Sequence, residues 1–203
     1  IAHHGYCHEN PVVLSLKEER RVLEKGINAI CQIIGKPPVG YRSPAWDLST
    51  HSLDLLLGHN FLYDSSLMAH DFIPYYCRKG DGAFKDKPYI FGREVELVEI
   101  PVTWGLDDFP PFEYVWYGGV INPGLSPPSQ VYEVWSGDFN YLYERLGEGV
   151  FCLTMHPQVI GRGHRLLMLE KLIQYMHGLR NVSFQTMEEV AQEWKKEHPL
   201  RKA

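Results

Sequence analysis

Residues 15–46, SLKEERRVLEKGINAICQIIGKPPVGYRSPAW, hold the pattern that decides the fold class. Ser15 and Glu18 form a capping-box sequence, and apolar residues recur at helical spacing up to a Gly-Lys-Pro-Pro stop, which predicts a helix over 15–35. The residues 39–42 then predict a short strand. A helix that leads into a strand, with polar residues directly after the strand, is typical of α/β proteins.

The alternation of strands and helices continues along the rest of the chain. Further strands are predicted at residues 61–64, 97–104, 149–156 and 182–185. Further helices are predicted after a cap at Ser49, over 130–146, over 165–177, and after a second capping box at Thr186 and Glu189. Long loops are predicted over 70–92 and 107–128. This order of elements predicts a parallel sheet or a barrel.

Ionisable residues follow the predicted strands at their carboxyl ends, where parallel sheets and barrels carry their active sites. They are His4 and His8, Arg42, Asp64, Asp107 and Asp108, and His156. Packing alone does not require ionisable groups at so many strand ends. We therefore treat these residues as candidates for a functional site.

The composition limits the class of protein and its partners. The chain has 203 residues, of which 44% are hydrophobic and 22% charged, and this predicts a single soluble domain over residues 1–203. A net charge of -5 without blocks of like charge argues against nucleic acid or an anionic membrane as the main partner. The apolar runs are too short to span a bilayer. The four scattered cysteines predict free thiols in a reducing compartment, with two disulfides as the alternative.

The stretch HHGYCHENP, residues 3–11, places His4 and His8 four residues apart. If the segment turns into a helix, both imidazoles converge on one metal ion, for which zinc, cobalt or nickel is suitable. The alternative is a pair of unrelated surface histidines. A catalytic metal site usually has a third protein ligand, so the pair alone is incomplete. We expect His3 to be structural and Cys7 to point away from the metal.

The stretch GYRSPAW, residues 40–46, carries three further candidates. Arg42 stays charged and either braces a carboxylate at an active site or forms a structural salt bridge. The N–H group of Ala45, directly after Pro44, is a candidate donor to an oxyanion. Trp46 follows a strand end and is predicted to be the wall of a substrate pocket.

The remaining candidates follow the strands at 97–104 and 149–156. Asp107 and Phe112 belong to a stretch of carboxylates and aromatic rings that either forms a substrate pocket or covers the edge of a barrel. His156 is either a general acid, if a carboxylate holds its other nitrogen, or a buried structural histidine.

Taken together and in this order, the motifs HGYCHENP, GYRSPAW, YDSSLM, VEIPVTWGLDDFP and HPQVIGRGHR resemble those of the polysaccharide deacetylase family. The pattern is similar to the cytoplasmic branch of that family, which includes peptidoglycan-deacetylase-like proteins, cyclic imide hydrolases and metal-independent allantoinases. The resemblance spans nearly the whole chain and implies an α/β fold, the deformed (β/α) barrel of the NodB type. It also implies a homo-oligomer in the cytoplasm.

Carried over motif by motif, the resemblance implies a role for each candidate. His4 and His8 match ligands of a divalent metal, most often zinc. His156 matches the general acid, and Asp108 matches the acidic residue that supports it. Arg42 matches the residue that orients the general base.

The resemblance also implies residues that this sequence does not contain. In the family, two aspartates on the first strand precede the HxxxH motif, one as a metal ligand and the other as the general base. Ala45 lies where the oxyanion N–H group of the family is found, but no Asp-x-Asp occurs in the chain. We therefore expect an N-terminally incomplete barrel that is inactive in isolation, with Asp64 as a conceivable substitute that follows another strand.

The implied activity is hydrolysis of carbon–nitrogen bonds other than peptide bonds. The substrate is either a small cyclic amide or imide, or an N-acetylated sugar of carbohydrate metabolism. The aromatic loops slightly favour a small cyclic substrate, or a glycan precursor, over an extracellular polymer. The alternative is a non-catalytic relative that has lost the aspartates and binds a ligand or a partner.

Overall fold

The computed structural model describes residues 1–117 and 119–200. They form two compact units. The first unit comprises Ile1–His70, Pro74–Pro101 and the residues from Gln185 onwards, and the second unit comprises Asp71–Ile73 and Val102–Phe184. The single domain expected over the whole chain stays a prediction. Within the described residues, no helix combines the length and the apolar character needed to cross a bilayer.

The described residues form seven α-helices and six strands. The helices are α1 Leu16–Ile34, α2 Ser52–Gly58, α3 Phe109–Phe112, α4 Pro128–Tyr141, α5 Pro157–Ile160, α6 Gly163–His177 and α7 Met187–Glu197. The strands are β1 Gly40–Tyr41, β2 Tyr63–Asp64, β3 Tyr75–Lys79, β4 Arg93–Glu99, β5 Val115–Tyr117 and β6 Val120–Asn122. Short 3-10 turns cover Pro11–Val13, Pro44–Trp46 and Trp104–Leu106, and a π-helical turn, Leu142–Leu146, follows α4.

The sheet of the first unit has the strand order β1-β2-β4-β3. Strands β1, β2 and β4 are parallel, and β3 pairs antiparallel with β4. His3 forms an isolated parallel bridge with Tyr41, which places the N-terminal segment beside β1. The predicted parallel sheet is confirmed. Because the carboxyl ends of parallel strands meet at one edge, the residues that follow His3, β1 and β2 become neighbours.

Helix α1 begins and ends as the sequence predicts. The Glu18 carboxylate accepts the Ser15 N–H at 2.9 Å, and the Ser15 hydroxyl oxygen accepts the Glu18 N–H at 3.4 Å, which completes the capping box. Gly35 ends the helix with a φ of 74°, a conformation that glycine adopts without steric cost. The second predicted capping box, at Thr186 and Glu189, opens α7.

Other predicted elements differ from the structure. Helix α2 begins at Ser52 with His51 at the cap position. Ser49 lies before it, where its hydroxyl oxygen accepts the His51 N–H at 2.9 Å and its hydroxyl donates to the Glu19 carboxylate at 2.5 Å. The loop predicted over 70–92 contains β3, which pairs with β4 at the edge of the sheet. The loop predicted over 107–128 contains α3 and the antiparallel hairpin of β5 and β6.

Residues 149–156, predicted as a strand, form no continuous ladder and have only an isolated bridge, at Thr154. The Thr154 N–H donates to the Leu106 carbonyl at 2.9 Å, and the Asp108 N–H donates to the Thr154 carbonyl at 3.0 Å. This single bridge fixes the segment beside the start of α3. Residues 182–185, predicted as a last strand, are irregular.

Each unit has its own core. The first unit packs α1 and α2 against the sheet through Leu23, Tyr41, Leu55, Leu56, Phe61, Cys77, Val95 and Leu97. The core of the second unit includes Leu106, Phe112, Val131, Trp135, Phe139, Met168, Leu172 and Met176. Burial of apolar surface contributes roughly 25 cal/mol per Å². The four cysteines are free, as the sequence predicts.

Candidate active site

The loop that carries His4 and His8 is not helical. Gly5 and His8 have positive φ angles of 73° and 62°, and the turn brings the centroids of the two imidazoles to 4.9 Å. The Glu9 carboxylate accepts two backbone N–H groups of the turn, at 3.0 and 2.7 Å. The segment does not turn into a helix, but the two rings converge nevertheless. Their role as metal ligands stays a prediction.

A hydrogen bond fixes the orientation of the His4 ring. Nδ1 lies 2.7 Å from the carbonyl oxygen of Arg42, and because a carbonyl only accepts, Nδ1 carries the proton. In the neutral ring, Nε2 then carries the lone pair that binds a metal. A carbonyl on the other nitrogen is the usual outer partner of a metal-ligating histidine.

His3 anchors the loop from within the first unit, as predicted. It is 1% exposed, and burial lowers its pKa to about 4, which keeps the ring neutral near pH 7. Nε2 donates to the Leu23 carbonyl at 3.1 Å, and Nδ1 accepts the Gly5 N–H at 3.2 Å. Gly26 of α1 leaves room for the ring, since a Cβ there would lie 2.1 Å from Nε2.

His4 and His8 fit two ligands of a zinc-type site, because both are imidazoles and their rings converge. Within the described part of the chain, no third His, Cys, Asp or Glu joins this pair in a metal-ligating group. Asp64, the conceivable substitute, is fully buried, and its Oδ1 accepts the Ser66 hydroxyl at 2.7 Å. The pair therefore requires a further ligand.

The residue directly after β2 holds the guanidinium of Arg42. Nε donates to the Ser65 carbonyl at 2.8 Å, and Nη2 donates to the Ser65 hydroxyl oxygen at 2.7 Å. The N–H group of Ser43 donates to the Ser66 hydroxyl oxygen at 2.9 Å. The end of β1 is thus fastened to the end of β2 at two successive residues.

The turn after Arg42 has a strained backbone. Ala45 and Trp46 have positive φ angles of 55° and 58°. This conformation costs roughly 1–2 kcal/mol for a residue other than glycine. Strain of this kind clusters at functional sites, and His8 shows it as well. Ala45 is exposed and therefore accessible to a substrate, while its oxyanion role stays a prediction.

Three residues predicted to contact the substrate are buried instead. Phe112 is 0% exposed in the core of the second unit, and its contact with a substrate stays a prediction. Its ring lies 4.6 Å from the guanidinium of Arg165, and full burial of such a ring stabilises the unit more than a half-open wall would. Asp107 accepts the Phe109 N–H at 2.7 Å and shapes the start of α3. Asp107 and Trp46 expose only 3% and 7%, which leaves little surface for a substrate.

Asp108 and His156 form a carboxylate–imidazole pair in the second unit. Oδ1 lies 2.6 Å from the His156 Nδ1, and Oδ2 accepts the His156 backbone N–H at 3.0 Å. Asp108 is fully buried, whereas 35% of the His156 side chain is exposed. The Phe109 ring packs against the imidazole with centroids 5.8 Å apart. The carboxylate holds the Nδ1 proton, which leaves Nε2 to exchange a proton with a substrate.

Asp107, Asp108 and His156 are also the one group of three potential metal-ligating residues that the described part of the chain contains. Their ligand atoms lie within 4.8 Å of one another. The 2.6 Å hydrogen bond, however, engages Nδ1 of the histidine and one oxygen of Asp108. We therefore interpret Asp108 and His156 as a pair that transfers a proton, and not as part of a metal site.

Sequence patterns do not reveal a second carboxyl pair, Asp64 and Glu99. The two residues are register partners on the adjacent parallel strands β2 and β4, and both are 0% exposed. Burial raises the pKa of both carboxyls, and the Asp64 charge raises that of Glu99 further. Burial therefore favours the protonated form of the pair over two buried charges. The one sequence signal is a glutamate inside the apolar run LVEIP.

No family model matches the chain, but curated relatives do. It is 39% identical, over 212 aligned residues, to the peptidoglycan deacetylase of Helicobacter pylori (strain ATCC 700392 / 26695), a match that covers 100% of this chain and 72% of that protein. The chain belongs to the polysaccharide deacetylase family. A second relative is the peptidoglycan deacetylase-like protein FGM2 of Gibberella zeae, 31% identical over 96% of this chain and 62% of that protein.

Solved structures of polysaccharide deacetylases share the fold. One from Mycobacterium smegmatis superposes with a TM-score of 0.80 at 34% identity and covers 97% of this chain and 63% of its own. One from Pseudomonas aeruginosa PAO1 superposes at 0.77 with 24% identity, over 99% and 61%. Puue allantoinase superposes at 0.77 with 20% identity, over 99% and 60%, and shows the fold alone. The expected NodB-type α/β fold is confirmed.

Membership of this deacetylase family fixes the class of chemistry. Its members are hydrolases that act on carbon–nitrogen bonds other than peptide bonds, and they are generally metal-dependent. The alternative of a non-catalytic relative is not favoured by these comparisons. The chain spans less than two thirds of the solved structures it matches, so the activity of the whole protein is treated as a proposal.

Proposed function

We propose that the protein that contains this chain is a metal-dependent deacetylase of N-acetylated sugars in a peptidoglycan-type glycan. The observation that carries the proposal is the Asp108–His156 pair, whose 2.6 Å hydrogen bond prepares the imidazole as a proton donor. The 39% identity to a peptidoglycan deacetylase supports this substrate over a cyclic amide. The small cyclic substrate favoured slightly by the aromatic loops becomes the second outcome of the test.

His4 and His8 would hold the metal, because His4 is oriented by the Arg42 carbonyl and its ring lies close to that of His8. When bound, a divalent ion such as zinc supplies Lewis acidity and makes a water molecule more acidic. A third ligand and a general base are required in addition, and the proposal assigns both to carboxylates.

The chain's own residues act on the substrate as follows. Arg42 orients the carboxylate that serves as general base, since Ser65 fixes its guanidinium. The Ala45 N–H group donates to the oxygen of the acetyl carbonyl as negative charge develops on it. His156 transfers its Nε2 proton to the sugar nitrogen when the C–N bond breaks, and Asp108 supports the positive charge on the ring before the transfer. Acetate and a free amine are the products.

The test compares two reactions of the full-length protein. Acetate release is measured from N-acetylglucosamine oligomers and peptidoglycan fragments, and ring opening is measured with cyclic imides and ureides. We expect acetate release that His156→Ala lowers by about 10²–10⁴-fold. The control is His164→Ala, because His164 is an exposed histidine on α6.

Two results would contradict the proposal. Ring opening without acetate release would make the protein a cyclic amidase. Acetate release that is equal in the His156 and His164 variants would remove His156 from the reaction.

A further inference from the structure

The Ser65 hydroxyl, which accepts a hydrogen bond from the Arg42 guanidinium, is itself held in one orientation. The Ser65 hydroxyl donates its one proton to the Ile100 carbonyl at 2.8 Å, so its lone pairs are left for Nη2 of Arg42 at 2.7 Å. The Ser65 carbonyl accepts from Nε at 2.8 Å. Ser65 is 0% exposed, and its N–H is tied to the Tyr41 carbonyl at 3.0 Å. The serine therefore presents two acceptors at fixed positions.

Ser66 holds Ser43, the residue that follows Arg42, in a similar way. Its hydroxyl donates to Asp64 Oδ1 at 2.7 Å and accepts the Ser43 N–H at 2.9 Å. Ser43 precedes the strained Pro44–Trp46 turn, which contains Ala45. Hydrogen bonds thus connect Asp64 through Ser66 to Ser43, the residue directly before that turn.

Glu99 completes the support from β4. Its Oε1 accepts the N–H groups of Ser66 and Leu67, both at 2.9 Å. As a carboxylate, Asp64 Oδ2 would be a buried acceptor without a donor among the described residues. Asp64 and Glu99 are register partners on β2 and β4, and burial raises the pKa of both carboxyls, which favours one shared proton over two buried charges.

We propose that Ser65 and Ser66, supported by the Asp64–Glu99 pair, are positioning residues that hold the Arg42 guanidinium and the turn that follows it. The inference rests on the proposed function for its catalytic meaning, but the positioning itself is measurable without activity. None of these four residues carries a role in the reaction described above. They act through Arg42 and Ser43, which they contact.

The test follows the Nη2–H signals of Arg42 in ¹H–¹⁵N spectra of the full-length protein, assigned with Arg42→Lys. In the wild type we expect these protons to exchange with solvent slowly. Ser65→Ala removes the hydroxyl that accepts from Nη2 and leaves the carbonyl that accepts from Nε, so we expect the Nη2–H signals to shift and their exchange to accelerate about 10-fold or more, since a hydrogen bond of a charged group is lost. Ser183→Ala is the control, because Ser183 is exposed.

A second pair of variants tests the support from β4. Glu99→Gln keeps an acceptor for the Ser66 and Leu67 N–H groups and a donor for Asp64, so the Arg42 signal should stay as in the wild type. Glu99→Ala removes both the acceptor for these N–H groups and the donor for Asp64, so the Arg42 signal should shift. If the alanine variant does not fold, Ser66→Ala replaces it, with the same expected shift.

The outcomes separate this inference from the proposed function. An Arg42 signal that is the same in the Ser65→Ala and Ser183→Ala variants overturns the positioning role. A signal that shifts, together with a kcat that falls at unchanged KM, supports both ideas. A signal that shifts while kcat is unchanged supports the positioning and contradicts the catalytic role proposed for Arg42.

Discussion

His4 and His156 are both held through Nδ1, but by different oxygens. The partner of His4 is the neutral carbonyl of Arg42 at 2.7 Å, and the partner of His156 is the Asp108 carboxylate at 2.6 Å. A carbonyl fixes the neutral tautomer that a metal requires, whereas a carboxylate supports the charge that develops during proton transfer. The same residue type is thus suited to the two different tasks proposed for it.

Asp108→Asn tests this at the residue level. The amide keeps the shape of the carboxylate but supports no positive charge on the ring, so we expect kcat to fall by about 10²–10⁴-fold. The measurement is the steady-state rate of acetate release. The matched control is Asp86→Asn at an exposed aspartate, and equal rates in the two variants would contradict the role of Asp108.

Sequence spacing identifies these residues but not how the chain places them. A four-residue step from His4 to His8 would bring the two rings together in a helical turn. The structure brings them together through positive φ angles at Gly5 and His8, which no spacing pattern encodes. The Asp64–Glu99 pair depends on the register between β2 and β4, which are far apart in the sequence. Local periodicity does not contain that information.

Among the helices, α1 has a glycine at the position where it packs against His3 of the N-terminal loop. Gly26 lies inside the helix and is buried, although glycine is a poor helix former. The His3 ring occupies the space that a Cβ would need. The capping boxes and the apolar spacing predict α1 and α7 well, because local sequence governs helix ends. Strand β3 is not predicted, because it depends on pairing with β4 and not on its local sequence.

A pair of glycine substitutions separates helix propensity from packing. Gly26→Ala should lower the free energy of unfolding by about 1–3 kcal/mol, since the new Cβ collides with His3. Gly137→Ala in α4 should raise it by about 0.5–1 kcal/mol, since its Cβ would meet nothing within 4 Å. Urea denaturation measures both. Stabilisation by both variants would contradict the close packing of His3 on α1.

The buried pair that links β2 and β4 makes stability depend on pH. In the folded chain the pKa of Glu99 is raised, so the pair keeps a proton that the unfolded chain releases above its ordinary pKa of 4.5. Its contribution to stability is therefore complete below pH 4.5 and is lost as pH rises towards the raised value.

Glu99→Gln removes this titration and preserves the hydrogen bonds. We expect the free energy of unfolding of the variant, measured by urea denaturation from pH 5 to 9, to fall less with pH than that of the wild type. The difference should grow by up to about 1.4 kcal/mol per pH unit while one proton is released. Parallel curves would show that the pair holds no extra proton.

At the scale of the whole molecule, the order of motifs carries more information than any one of them. No single motif is specific, yet their combination predicts the deacetylase fold that the solved relatives share. The structure buries Phe112, Asp107 and Trp46, which the sequence pattern does not reveal, and their contact with a substrate stays a prediction. The homo-oligomer and the cytoplasmic location stay predictions.

We propose that the protein is a metal-dependent deacetylase, and acetate release from peptidoglycan fragments by the full-length protein is the measurement that decides this. The rate is measured before and after treatment with a chelator, and again after zinc is restored. We expect release that the chelator abolishes and zinc restores. Release that is unchanged by the chelator, or no release from the metal-loaded protein, would contradict it.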